Sequence, residues 1–504
     1  MPEKLIEEYD VDMEGKPVHI KIVTEDHTKK YVLVLPHVDV ATAALLDDIK
    51  ERLISGVEMK TSEIFEPKLM DELKKEFRDN ASTLISAELP NIEEKTKDYF
   101  IQGLVNELLG LEQLEYLLAD ERLEEIVVNS SKEPVRVFHK KIGWLTTNIT
   151  LASEGKILNY ANTIARRVGR EITTLSPLLD AHLMSKDRAN AIISPIASKG
   201  NTITIRKFSR DPWTAPDFIM NKTTSLDVTS LIWLVMQYEM NMIISGGTGS
   251  GKTSFLNICM PFIQPNQRII SIEDTRELQL PEFLFWCPLT TRDPNPEGKG
   301  EVSMLNLLVN SLRMRPDRIV MGEIRKQREA EVLFEAMHTG HSVYSTIHAD
   351  TCEQTITRLT NPPIDIPHSM LDSVHLNVVM FRDRRRGIRR VFEVGEFIPD
   401  EEANTHGKIR YKSHLIHVWN ARSDVIEEKD EPYRLFHELE RHTGLTQKEL
   451  SDDIETKKKV LQWMVDNKVR QVDDVGKVMN NYYMDLDLVL SVVNKNLKPE
   501  KLLS

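Results

Sequence analysis

Eight consecutive residues, Gly246-Gly247-Thr248-Gly249-Ser250-Gly251-Lys252-Thr253, carry the strongest chemical signal in the chain. Their types and spacing fit G-x-x-x-x-G-K-[ST], a loop whose glycines let the backbone fold tightly so that successive N–H groups point at one anion. In such a loop Lys252 is spaced to reach the β- and γ-phosphates of a nucleoside triphosphate, and Thr253 to offer its hydroxyl to magnesium. The bland alternative is a glycine-rich turn that fits the pattern by chance. Context disfavours it, because the apolar run MNMIIS precedes the loop and TSFLNICM follows it, as a strand and a helix should.

Three later segments supply the other groups that hydrolysis needs. RIISIEDTREL is an apolar strand ending at Glu273 and Asp274, followed by Arg276 and Glu277. RPDRIVMGEIR ends at Gly322 and Glu323, and HSVYSTIHAD ends at Thr346, His348 and Asp350. Ligands of open parallel sheets bind at the carboxyl ends of strands, so these side chains are expected to gather around one nucleotide. One carboxylate is needed to orient or deprotonate water and another to hold magnesium, directly or through water, and a histidine near the γ-phosphate could sense or stabilise it. Glu323 also reads as a surface acid at a strand end, and His341 equally as a structural histidine. A metal site from His338, His341 and His348 lacks the cysteine or acidic pattern that would complete it.

The elements that must position these residues follow from pattern and composition. A chain of 504 residues holds two to four domains on ordinary domain sizes. Hydrophobic residues make up 40% and charged residues 28%, which fits a folded globular protein. The net charge of −13 disfavours a broad nucleic-acid surface. Cys259, Cys287 and Cys352 form no C-x-x-C pair, which points away from zinc and disulfides and towards a reducing interior. The acidic start MPEKLIEEYD lacks the pattern of a signal peptide, and Leu231 to Ile244 is too short and polar to span a bilayer. The expected location is therefore cytoplasmic.

Residues 1–88 read as an accessory region, with a strand pair (Val18, Ile20, Ile22, then Tyr31, Leu33, Leu35) and two amphipathic helices, ATAALLDDIKERLISG and KLMDELKKEF. Residues 89–210 read as a mixed α/β domain, and 211–224, with two prolines and few periodic apolar residues, as a linker. Helix and apolar strand alternate after residue 225, the pattern of a mostly parallel α/β sheet. A helical tail follows, with Thr446 and Glu449 as a capping box.

The loop GGTGSGKT, the acidic box IEDTREL, the segment SLRMRPDRIVMGEIR and the histidine box HTGHSVYSTIHAD occur in this order. Together they resemble the secretion-superfamily ATPases that power type II secretion, type IV pili, type IV secretion and the archaeal flagellum (archaellum). The resemblance extends back through SPLLDAHLMSKDRANAIISPIASKGNTITIRKF. It implies an α/β fold in which residues 225–504 form a RecA-like P-loop NTPase domain, beside a separate mixed α/β N-terminal domain and a small N-terminal accessory region. It also implies a homo-hexamer that uses ATP and Mg2+. Glu273 would then activate water and Glu323 would be tied to magnesium together with Thr253, though the two acids can exchange roles. His348 would sit near the γ-phosphate, and Arg188 and Arg206 would bring charge to the phosphates from the N-terminal domain. The alternative for either arginine is a surface ion pair.

Bacterial secretion and pilus-extension members usually carry a four-cysteine zinc insertion, which this chain lacks. KLIEEYDVD, KKYVLVLP, VNSSKEPVRVFHKKIGWLTTN and GLTQKELSDDIETKKKVLQWM resemble archaeal members, and among these the archaellum motors are favoured over pilus and secretion homologues. That branch implies a membrane platform protein as partner, a peripheral position at the inner face of the membrane, and accessory motor proteins including a second RecA-like ATPase. No nucleic-acid partner is expected. The rival of another class, a nucleic-acid translocase, would use RDRRRGIRR, with Arg382, Arg384, Arg385, Arg386, Arg389 and Arg390. That cluster has no aromatic residues for base stacking, and reads better as a solvated turn between strands or a docking patch for a protein or anionic lipid. A non-hydrolysing scaffold is disfavoured by the presence of both carboxylates.

Overall fold

The structure, a computed structural model, describes residues 4–13, 16–25, 28–36, 38–56, 67–183, 185–208, 212–294, 298–400 and 410–503. The chain divides into two compact units, Met1–Arg210 and Asp211–Ser504.

Among the described residues, nine strands form the sheet of the first unit: β1 (Lys4–Met13), β2 (Lys16–Glu25), β3 (Thr28–Val34), β4 (Leu123–Val128), β5 (Arg136–His139), β6 (Gly143–Thr147), β7 (Leu178–His182), β8 (Arg188–Ile192) and β9 (Thr202–Arg206). Their order is β1-β2-β3-β6-β5-β4-β9-β8-β7. The alternation around Ile20, Ile22, Tyr31 and Leu33 buries these four side chains on one face. The strands of the expected accessory region do not stand apart. β3 pairs in parallel with β6 through Lys30↔Thr146 and Tyr31↔Thr147, so residues 1–88 and 89–210 share one sheet. Period-two alternation shows that a strand has a buried face, but it does not name the strand that completes its edge. The helices Val40–Gly56, Pro67–Glu88 and Glu94–Leu109 pack around a separate apolar cluster that includes Leu53, Phe77, Ile85 and Phe100.

The described residues of the second unit hold another nine strands: β10 (Met242–Gly246), β11 (Arg268–Glu273), β12 (Phe285–Thr290), β13 (Arg318–Met321), β14 (Ser342–Ile347), β15 (Leu376–Asp383), β16 (Ile388–Pro399), β17 (Tyr411–Asn420) and β18 (Val425–Glu428). Their order is β12-β11-β13-β14-β10-β15-β16-β17-β18. The run from β12 to β15 is parallel, and β15 to β18 form an antiparallel meander. Every residue of β10, β13 and β14 is buried, as expected for strands covered on both faces by helices. Because these strands are parallel, Gly246, Glu273, Gly322 and His348 all lie at the same rim of the sheet.

Part of the expected linker is helical. Residues Ala215–Met220 form a helix that starts with a capping box between Thr214 and Asp217, and the Phe218 ring stands 6.1 Å from that of Phe255. The signature T-x-x-D with Pro216 in the first turn explains why two prolines there do not break structure. The C-terminal helices pack on the helix Leu226–Gln237, where Trp233 stacks on Phe262 and donates from Nε1 to the Tyr483 hydroxyl at 2.9 Å. Among the described residues no helix is long and apolar enough to cross a membrane.

Candidate functional site

The turn after β10 depends on backbone conformations that side chains disfavour. Gly246, Gly249 and Gly251 have φ of 148°, 71° and 95°, and Gly251 leads directly into the helix Lys252–Cys259. Gly247 is half-buried, Thr248 and Gly249 are exposed at the crest, and Ser250 is buried. A Cβ on Gly246 would lie 2.3 Å from the Met380 carbonyl oxygen, which is backbone and has no room to move. Gly246→Ala is accordingly expected to destabilise the second unit by about 2–4 kcal/mol, from backbone strain plus overpacking. A lowered thermal midpoint checks this.

Lys252 folds back over the loop. Its Nζ donates to the carbonyls of Gly246 at 2.9 Å and Gly247 at 3.2 Å, and lies 3.2 Å from His348 Nδ1. Burial lowers its pKa, opposed by the negative charges of Glu323, Asp350 and Glu277. His348 Nε2 is 3.0 Å from Glu323 Oε1. The other oxygen, Glu323 Oε2, accepts from Arg325 Nε at 3.0 Å and Nη2 at 2.9 Å, and Arg325 Nη1 in turn donates to Asp274 Oδ2. Lys252, His348, Glu323, Arg325 and Asp274 thus form one polar run across the ends of β10, β14, β13 and β11.

Glu273 stands at the end of β11, only 2% exposed. Its Oε1 accepts from the backbone N–H groups of Glu277 at 2.9 Å and Leu278 at 3.1 Å, and its Oε2 is buried without a partner among the described residues. Burial pushes the carboxyl up to about 7, against the lowering effect of those two N–H groups. A carboxyl poised there exchanges protons at neutral pH. Ser250 Oγ is likewise buried and unpartnered among the described residues. Left-handed glycines, a helix N-terminus, an ammonium and the Ser250 hydroxyl fit a triphosphate, and the unpartnered Glu273 oxygen fits a water that donates to it. Thr253, half-buried in the first turn of its helix, and Glu323 offer the oxygen donors that magnesium takes.

The three histidines go to different places. His338 Nε2 faces Asp372 Oδ1 at 3.6 Å, His341 Nδ1 lies 3.3 Å from the Ala336 carbonyl, and His348 belongs to the run above. Arg188 and Arg206 belong to the first unit, directly opposite each other on β8 and β9, and both are exposed. Arg188 forms a two-pronged ion pair with Asp180, at 3.0 Å from Nε and 2.5 Å from Nη2. Arg206 lies opposite Glu125 on β4 and acts on its charge.

The basic cluster divides three ways. Arg384, Arg385 and Arg386 lie exposed in the turn between β15 and β16. Arg390 is buried and paired with Asp424, at 2.8 Å and 2.9 Å. Arg382 and Arg389 face the glycine loop, so a solvated turn describes only the tip. The sequence reading named these two only as part of the basic cluster, not as neighbours of the glycine loop, and it passed over Arg325. For Arg325 the signal was its place two residues after Glu323, within reach of the acidic box.

A parallel sheet whose central strand runs into a glycine loop and helix, with acids and a histidine along the same rim, is the architecture of a P-loop nucleotide site. Residues 109–383, more than half of the chain, match the family described as "Type II/IV secretion system protein", and the chain belongs to that family. It is 31% identical over 512 residues to an uncharacterised protein of Methanocaldococcus jannaschii, covering 96% of this chain and 89% of that protein. It is 28% identical over 290 residues to the type IV secretion system protein VirB11 of Bartonella henselae, covering 50% of this chain and 80% of the relative. Among solved structures, the VirB11 ATPase of Brucella suis with sulphate matches at 25% identity and TM-score 0.29, covering 56% of this chain and 92% of that one.

Proposed function

We propose that this chain hydrolyses ATP at the loop after β10, and that hydrolysis drives assembly of a cell-surface filament, the archaellum, from a homo-hexamer docked on a membrane platform protein at the inner face of the membrane. The observation that carries the reading is the polar run Lys252–His348–Glu323–Arg325–Asp274, which joins the glycine loop to the acids of two neighbouring strands. In this reading Lys252 and Thr253 hold the phosphates and magnesium, Glu323 is tied to magnesium, Glu273 takes the proton of the attacking water, and His348 faces the γ-phosphate. In the same reading Arg188 and Arg206 are cations brought to the phosphates. The likeness to an archaeal relative along nearly the whole chain supports an archaeal branch.

The test begins with heat of Mg-ATP binding and with phosphate release by the purified chain. Absence of both would overturn the reading. Co-purification with platform proteins of filament machines is then expected to raise turnover. The matches to type IV secretion proteins favour a second reading, a secretion motor, and stimulation by a secretion platform alone would select it. Salt-sensitive DNA binding that stimulates turnover would instead replace both with a translocase.

A further inference from the structure

Two arginines approach the glycine loop from the side opposite the polar run. β15 lies beside β10 with Gly246 opposite Met380, so the residues after Met380 continue alongside the loop. Arg389 Nε donates to the Gly249 carbonyl at 3.1 Å. Arg382 packs on the same glycine, so that a Cβ on Gly249 would lie 2.7 Å from Arg382 Nη1. A Cβ on Gly251 would lie 3.3 Å from Arg389 Cδ. Missing side chains at 249 and 251 thus make room for two guanidinium groups.

The two guanidinium groups also belong to facing positions of one strand pair. Arg382 and Arg389 sit directly opposite each other in the β15–β16 ladder, and like charges in that position destabilise a strand pair. Among the described residues no carboxylate forms an ion pair with Arg382. The nearest acid in sequence, Asp383, instead accepts from the backbone N–H groups of Arg385 and Arg386 and so closes the turn. Arg390, one residue along, is neutralised by Asp424. Two guanidinium groups held against an anion-binding loop add positive charge where a strongly negative ligand would enter.

We propose that Arg382 and Arg389 are positioning residues of the nucleotide site. They hold the outer side of the glycine loop at Gly249 and add positive charge beside the polyphosphate. The assignment rests on the nucleotide reading above. Arg389 fixes the peptide plane after Gly249, whose N–H, that of Ser250, donates to the Gly247 carbonyl at 3.3 Å and closes the loop's turn. Arg382 supplies charge and covers the glycine.

The test compares the unaltered chain with Arg382→Gln, Arg389→Ala and Arg389→Lys. Mg-ATP and Mg-ADP binding are measured by calorimetry at low and high salt, and thermal midpoints without nucleotide. Arg389→Ala and Arg382→Gln are each expected to weaken both nucleotides about tenfold, one charge-assisted hydrogen bond or its equivalent in charge. The salt dependence of affinity should become shallower, and Arg389→Lys should recover most of the loss. Without nucleotide, Arg382→Gln should unfold at the same temperature or higher, because it removes a like-charge pair. Unchanged affinity in both neutral variants would overturn the proposal. So would a loss that accompanies a lowered midpoint and that lysine does not rescue. No heat from the unaltered chain would overturn the nucleotide site itself, and this assignment with it.

Discussion

Lys252→Ala should bring phosphate release down by about a thousandfold, to near background, while the chain stays folded. Among the described residues the ammonium makes three polar contacts, with the carbonyls of Gly246 and Gly247 and with His348. When a triphosphate enters the loop, the same donors are in reach of its oxygens, and hydrogen bonds from a charged donor are about twice as strong as neutral ones. Two such bonds at about 2 kcal/mol each give about 4 kcal/mol, which converts to roughly a thousandfold in rate. The alanine variant also breaks the polar run at its loop end, leaving His348 and Glu323 without a link to the phosphates. Folding should suffer little, because the ammonium is half-buried and burial already disfavours its charged form. Arginine should not substitute, since a planar fork cannot enter the space that a point charge fills. Phosphate release within about tenfold of the unaltered chain would remove Lys252, and with it the loop, from the reaction.

The glycine loop was legible in the sequence because its chemistry is local: fixed spacing, a strand before it and a helix after it. The ends of β11, β13 and β14 were legible for the same reason, since each strand is an apolar run closing on an acid or histidine. What the sequence left open was pairing. It shows that β3 has a buried face, but not that β6 lies beside it, because register and partner come from side chains far apart in the chain. It shows six arginines around a turn, but not that two of them turn towards Gly249 while Arg390 turns to Asp424. A hairpin closed at Asp383 and Ile388 places Arg382 opposite Arg389, so this much was within reach once both flanks were read as strands. Their proximity to the loop was not, because it depends on β15 lying next to β10. Arg325 is similar: its contact with Glu323 is local, and its contact with Asp274 crosses from β13 to β11.

The two acids can be separated by Glu273→Gln. The amide keeps an oxygen for the N–H groups of Glu277 and Leu278 and adds an NH2 where Oε2 is unpartnered, so geometry survives and proton acceptance does not. Turnover is expected to fall about 10²–10³-fold, the usual contribution of a positioned base, with Mg-ATP binding retained. In the unaltered chain turnover should rise as pH climbs through about 7, because the carboxyl is protonated below that value and able to accept a proton above it. Stability should move the opposite way. The folded pKa lies above the ordinary 4.5, so between those two values the folded chain binds more protons than the unfolded one, and stability declines as pH rises through that window. The total decline is at most about 3 kcal/mol, and glutamine, which does not ionise, should escape it. The variant is therefore expected to unfold at a higher temperature than the unaltered chain at about pH 8 and at a similar one at about pH 5. A slower enzyme that is also more stable above neutrality is an outcome that a merely structural glutamate would not give. Full turnover in Glu273→Gln would pass water activation to Glu323, whose carboxylate already lies against His348 and Arg325.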